Sequence, residues 1–165
     1  MKICFCRVDN RLLHGQVTNA WTRKYKIRQI FVVDDELCKD DIARRVLMLA
    51  SPARVNTRVC SAEQMTDVLQ QKEVCRNNAK AAILLKTIKD AKRLFDKAGK
   101  ITDTLILGGI SCGIGRHKVC ERLFLSEEEK RIVKEIAGKY HLRVEHRILP
   151  GDVPVDVVRC LENGG

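Results

Sequence analysis

The stretch Ile3-Cys-Phe-Cys-Arg-Val-Asp-Asn-Arg-Leu-Leu-His-Gly-Gln-Val17 decides how this chain reads. It passes from an apolar run, Ile3 to Val8, through a short polar loop into an amphipathic segment from Val17 to Tyr25. That order is a strand, a loop and the start of a helix. The loop carries Asp9, Arg11, His14, Gly15 and Gln16. A histidine at a strand-to-helix turn, with an arginine three residues before it, suits the holding of a phosphoryl group. The helix start offers unpaired N–H donors, and the guanidinium offers a planar, permanently charged fork.

Outward from this stretch, β-branched runs alternate with helical periodicity. Gln29 to Val33 reads as a buried strand ending in Asp34-Asp35, and a helix follows over Lys39 to Ala50 with Ile42, Val46 and Leu49 inward. Asp40 or Asp41 stands near its start and Pro52 beyond its end. Val55 to Val59 is a third strand, and Ser61-Ala-Glu-Gln64 is a capping box opening a helix through Gln71. Ala81 to Leu85 is continuously apolar and so central. Thr87 to Ala98 is helical, with Gly99 as its stop.

Thr104 to Leu107 is a strand running into the glycine-rich loop Gly108 to Gly115, and Glu121 to Leu125 is another. Ser126-Glu-Glu-Glu129 caps a long helix to Tyr140. Leu142 to Ile148 alternates as a half-exposed strand, and a short helix closes the chain from Val155 to Leu161. The succession predicts an α/β fold: an open, predominantly parallel sheet of about six or seven strands with helices on both faces. The whole of 1–165 is expected to form one domain. In such sheets ligands bind beyond the carboxyl ends of the strands, which gathers the loops after Val8, Val33 and Leu107 into one candidate site.

Composition narrows the function. The chain is 45% hydrophobic and 32% charged, as a globular protein is, and no apolar run approaches the roughly 18 to 20 residues of a membrane span. Arg7 and Asp9 interrupt the apolar N-terminus before it can serve as a signal peptide, so a cytoplasmic location is expected. Cys4 and Cys6 form a C-x-C on a strand, expected to point both thiols to one face. Cys38, Cys60, Cys75, Cys112, Cys120 and Cys160 are scattered singly. This pattern predicts reduced thiols and no metal. The net charge of +10 is spread over solvated helix faces, and aromatics are only 4%, which argues against nucleic acid as a partner. It fixes the sign of a partner and not its identity.

His14 is the candidate phosphoryl acceptor, because an ordinary imidazole has an unprotonated nitrogen available near neutral pH. Arg11 can neutralise phosphate oxygens, and Gly15 allows close backbone approach. Asp9 either hydrogen-bonds the other imidazole nitrogen or anchors Arg11, and an Asp9–Arg11 salt bridge can be structural as well. Gln16 either begins the helix or touches a ligand. Asp34-Asp35 reads first as structural. Gly109 and Ser111, in a loop that lacks G-x-G-x-x-G, can complete a phosphate or partner surface, as can Asp34. His117, His141 and His146 stand among charged neighbours and read as solvated.

The stretch Arg7-Val-Asp-Asn-Arg-Leu-Leu-His-Gly-Gln-Val17 resembles the IIB component of the mannose/fructose/sorbose family of the bacterial sugar phosphotransferase system. Its D-x-R-L-(I/L)-H-G-Q pattern matches at every position, and Ile30 to Glu36, Leu105 to Ser111 and Val144-Glu-His-Arg147 fall where that family has similar stretches. Ser51-Pro-Ala-Arg54 and Cys112-Gly-Ile-Gly-Arg116 depart from it. The resemblance implies that His14 is phosphorylated, with Asp9 and Arg11 in the active-site loop. It implies a IIA phosphohistidine as donor and a sugar carried by membrane IIC and IID components as acceptor. No metal or nucleotide cofactor is implied, and the chain is expected at the membrane transporter's cytoplasmic side. A homo-oligomer is left open, and so is the sugar. The rival readings are a non-catalytic regulatory or basic binding module on the same fold, and a small-molecule phosphatase or kinase.

Overall fold

Alternation along the inner strands sets the architecture. In Gln29–Val33, Phe31 and Val33 enter one core cluster while Ile30 and Val32 enter another; in Lys80–Leu85, Ala81, Ile83 and Leu85 oppose Ala82 and Leu84 in the same way. A strand apolar on both faces has to be covered on both faces. The computed structural model, which describes residues 1–71 and 79–164, does this with helices on either side.

In chain order the elements are β1 (Lys2–Val8), α1 (Gly15–Tyr25), β2 (Gln29–Val33), α2 (Asp41–Leu49), β3 (Asn56–Cys60) and α3 (Ala62–Gln70). They continue with β4 (Lys80–Leu85), α4 (Ile88–Ala98), β5 (Thr104–Leu107), β6 (Arg116–Cys120) and β7 (Leu123–Ser126). The last are α5 (Glu127–Tyr140), β8 (Arg143–His146), β9 (Val155–Asp156) and α6 (Val157–Glu162). Seven strands form the main sheet in the order β3-β2-β4-β1-β5-β8-β9. Every pairing is parallel except β8 with β9. The cluster of Met65, Leu94, Phe95, Ile132, Val133 and Ile136 lies on the α3–α6 side. Trp21 of α1, with Leu37 and Leu47 packed at the margin, covers the other.

The predicted capping boxes are present. Ser61 and Ser126 accept the amides of Gln64 and Glu129, whose side chains return to the cap backbone; Thr87 and Asp90 form a third box at α4. β1 hands over to α1 on one face, whereas its neighbour β5 leads on to β7 and α5 on the other. The crevice at this switch point therefore opens between the loops that follow β1 and β5.

Five expectations need correction. Glu121 to Leu125 does not join the main sheet: β7 pairs antiparallel with β6, a strand the sequence pattern did not reveal, in a two-stranded ribbon. Val155-Asp156 is a short antiparallel edge strand before the last helix. Ile42, Val46 and Leu49 point outward, at 78%, 62% and 87% exposure. The helix is apolar on two sides, and the structure seats the side of Ala43, Leu47 and Met48 instead. Cys4 and Cys6 lie on opposite faces, because a bulge between Ile3 and Phe5 breaks the alternation. His146 is buried, its Nδ1 3.0 Å from the Leu107 carbonyl, because β8 is an inner strand at that point.

The described cysteines are all unbridged, and Cys75 lies outside the described residues. Burial pushes the thiol of Cys6 well above its ordinary range and that of Cys60 up to about 12.

Candidate phosphoryl-transfer site

The site is built on an arginine buried within a strand. Arg7 on β1 is 2% exposed, and its neighbours in sequence, Cys6 and Val8, are buried apolar side chains. A guanidinium there must find partners. Its Nη2 donates to Asp9 Oδ2 at 2.9 Å and its Nη1 to the Arg147 carbonyl at 2.8 Å. The Trp21 ring lies 5.1 Å from its Cζ. Trp21 in turn donates its indole N–H to the Ile148 carbonyl at 3.0 Å, and Arg147 lies over the same ring at 5.3 Å. The end of β8 is thus latched to β1 and α1 by two side-chain donors.

Asp9, 1% exposed, turns this framework toward the histidine. Its Oδ2 is shared between Arg7 and His14 Nε2, the latter at 3.2 Å. Its Oδ1 accepts the Arg11 amide at 3.2 Å, with Arg11 Nε at 3.6 Å. Burial alone would raise the Asp9 carboxyl, but Arg7, the Arg11 amide and His14 outweigh it and hold the group below the ordinary carboxylate range. An ionised Asp9 requires the proton on Nε2, which leaves Nδ1 as the ring's acceptor nitrogen. Burial pulls Arg7 below its ordinary value, opposed by Asp9.

His14 is also the N-cap of α1, and its side chain does not cap the helix. The backbone is pinned instead: the His14 amide donates to Thr18 Oγ1 at 3.0 Å, and the Thr18 amide returns to the His14 carbonyl at 3.2 Å. α1 has no acidic residue in its first turn, in contrast to α2, α3, α4 and α5. Its leading amides have no partner inside the helix, and its first turn supplies no carboxylate of its own, which favours an incoming anion. The His14 side chain is 19% exposed and the Arg11 side chain 58%. The Arg11 fork lies beside Gly109, where an added Cβ would stand 3.8 Å from Nη2.

The structure therefore brings together Asp9, Arg11, His14, Gly15 and Gly109, with Gln16 in the first turn of α1. It does not bring in Asp34, whose Oδ1 accepts the amides of Glu36 and Leu37 at 3.0 and 2.9 Å and so shapes the turn after β2. Ser111 is exposed, and its carbonyl accepts from Arg116. Asp35 holds the start of α3 through the Ala62 amide and α4 through Arg93, and that amide first of all keeps its carboxyl low.

Sequence reasoning missed Arg7, Trp21, Gly108 and Arg147. A charged residue inside the alternation of an inner strand was the available signal for Arg7. For Trp21 and Arg147 there was none, because their contacts join distant elements. Among the described residues, no group of three or more His, Cys, Asp or Glu is placed to hold a metal ion.

Residues 3–164 match the family model described as PTS system sorbose subfamily IIB component. The chain belongs to this family. The fructose-specific EIIB component of Bacillus subtilis is 24% identical over 163 residues, covering 99% of this chain and 98% of that protein. The mannose-specific EIIAB component of Escherichia coli is 27% identical over 139 residues, covering 84% of this chain and 42% of that longer protein. Among solved structures, manxB from Thermoanaerobacter tengcongensis superposes with a TM-score of 0.89 at 29% identity, over 99% of this chain and 96% of the other. This IIB component accordingly belongs to the sugar phosphotransferase system and has its fold. No helix among its described residues is long and apolar enough to cross a membrane.

Proposed function

We propose that this IIB component relays a phosphoryl group through Nδ1 of His14, from a IIA phosphohistidine to a sugar carried by membrane IIC and IID components. The observation that carries the reading is the Asp9–His14 contact, which occupies Nε2 and so supports Nδ1 as the nucleophile, on the N-cap residue of α1.

In the first step the Nδ1 lone pair forms the new N–P bond while the donor's N–P bond breaks. The donor ring leaves neutral, and the positive charge it carried passes to the His14 ring. Asp9, accepting a hydrogen bond from Nε2–H, stabilises that charge as it develops. Arg11 and the first-turn amides oppose the phosphoryl oxygens, so the protein's contribution is position and electrostatics. In the second step a sugar hydroxyl attacks phosphorus and gives up its proton to solvent, the N–P bond breaks, and the ring returns neutral with its own proton still on Nε2. Neither step calls on a metal or a nucleotide. The work is done in the cytoplasm, against the transporter.

The test is incubation with phosphoenolpyruvate, the general phosphotransfer proteins and a cognate IIA, followed by intact mass and peptide mapping. The expected result is an acid-labile adduct on His14 that His14→Ala lacks. No adduct, or one on another residue, refutes the relay.

A further inference from the structure

We infer that the outward face of α2, with the groove beside it, is the docking surface for the phosphohistidine donor protein; this rests on the transfer reading above. Ile42, Val46 and Leu49 follow one another at helical spacing and are 78%, 62% and 87% exposed. α2 itself has no buried residue. A row of large apolar side chains at one face, unlike single exposed ones, marks a surface that something covers.

The groove has a volume of about 990 Å³, and its walls include Leu12, Asp34, Leu37, Val46 and Lys86. Leu12 belongs to the His14 loop, takes a left-handed backbone at φ 53°, and also walls the small cavity beneath His14 with Thr18 and Trp21. The groove therefore shares the Leu12 side chain with the cavity at the transfer loop.

Three observations select the donor as occupant. His14 is only 19% exposed, so a protein that brings its own phosphohistidine to Nδ1 must cover the surface around the loop. Arg11 gives the surface around the loop a polar side, and the groove walled by Leu12, Ile42 and Val46 gives it an apolar one, as in a contact patch with an apolar centre and a polar rim. The charges also fit. On a chain of net charge +10, this groove gathers Asp34, Glu36, Asp40 and Asp41 against Lys39 and Lys86. A donor holds its phosphoryl dianion with cations, and an acidic rim is complementary to them.

The test uses Ile42→Asp, Val46→Asp and Leu49→Asp in the full chain, with phosphorylation of His14 followed against donor concentration. All three side chains are exposed, so unchanged thermal melts are expected. The apparent KM for the donor should rise about tenfold or more for each, with the rate at saturating donor within about twofold. Val153→Asp, at a site 85% exposed elsewhere, should leave both unchanged. An unchanged KM in all three variants overturns the proposal. So does a loss confined to the sugar step, which would assign the face to a membrane subunit. A self-association that Val46→Asp abolishes while KM stays fixed would assign it to a second copy and overturn it equally. Failure of the unsubstituted chain to accept any phosphoryl group would strike the transfer reading instead.

Discussion

Gly108→Ala is the sharpest probe of the Arg7–Asp9–His14 framework, although Gly108 never touches the histidine. The residue follows β5, is buried, and donates its amide to the Val8 carbonyl at 2.8 Å. Its φ is not positive, so alanine fits the backbone, and the obstacle is room. A Cβ there would collide with Asp9 Oδ2 and lie 2.6 Å from Arg7 Nη2 and 3.0 Å from Arg7 Cζ, where ordinary contacts begin at 3.4 Å. Neither neighbour can withdraw freely. Arg7 is fixed by the Arg147 carbonyl and Trp21, and Asp9 is sealed from solvent.

If the pair shifts but stays formed, the cost is that of overpacking, about 1–3 kcal/mol. If the methyl parts the pair, it approaches the roughly 3–5 kcal/mol of breaking a buried ion pair. The functional effect follows from the 3.2 Å Asp9–His14 contact, which has little to spare before it ceases to be a hydrogen bond. A displacement of about 1 Å would release the ring and slow transfer on the order of a hundredfold. Gly113→Ala is the control: its φ is not positive, and its Cβ would meet only Arg116 Cδ, at a comfortable 4.0 Å. Urea unfolding and the phosphoryl-transfer rate at saturating donor should separate the two variants. Equal behaviour in both assays would refute the idea that this close approach aligns the site.

Three further outcomes follow from the same contacts. Arg11→Lys keeps the charge but loses the fork, so transfer should slow about tenfold with stability within about 0.5 kcal/mol; equal transfer rates would show the fork is idle. Arg7→Met strands the buried Asp9 carboxylate and should lower the urea-derived stability by about 3–5 kcal/mol, and a loss below about 1 kcal/mol would deny the pair its structural role. For Glu129, burial would raise the carboxyl, but Arg116 at 2.6 Å and the Ser126 amide pull it below its ordinary value. A depressed folded value means its stabilisation is complete above the unfolded value of about 4.3 and is lost as the pH falls through the folded one. Glu129→Gln should therefore flatten the acid limb of the stability–pH curve, and an unchanged limb would contradict the sign.

How much of this was legible in the sequence depended on how local the cause was. The three capping boxes are four-residue events; Ser61-to-Gln64 and Ser126-to-Glu129 were read directly and are present. The parallel sheet followed from the alternation of strands with helices, and the Asp9–Arg11–His14 loop followed from its place after the first strand. The ribbon of β6 and β7 was hidden because Arg116-His-Lys-Val-Cys120 is polar and only partly buried, so it lacks the apolar signature of a sheet strand. Arg7 reads in the sequence only as an interruption of an apolar N-terminus, because its partners at Trp21 and the end of β8 are far away along the chain.

The α2 face shows why such failures are informative. Asp41-Ile-Ala-Arg-Arg-Val-Leu-Met-Leu49 has two apolar sides, Ile42/Val46/Leu49 and Ala43/Leu47/Met48, and periodicity cannot choose between them. Cohesion within one chain needs only one side buried. A sequence that keeps the second apolar accepts a cost in solubility and in wrong contacts, which is sustained only if something covers that side for part of the time. The same reasoning applies to Arg7, where an apolar side chain would fill the strand position without the need for a counter-charge. Arg7 reaches His14 through Asp9, and the α2 face shares its groove with Leu12 of the His14 loop. The ambiguity of the sequence is thus concentrated where the fold gives up some of its own stability to hold a ring, and to let a partner reach it.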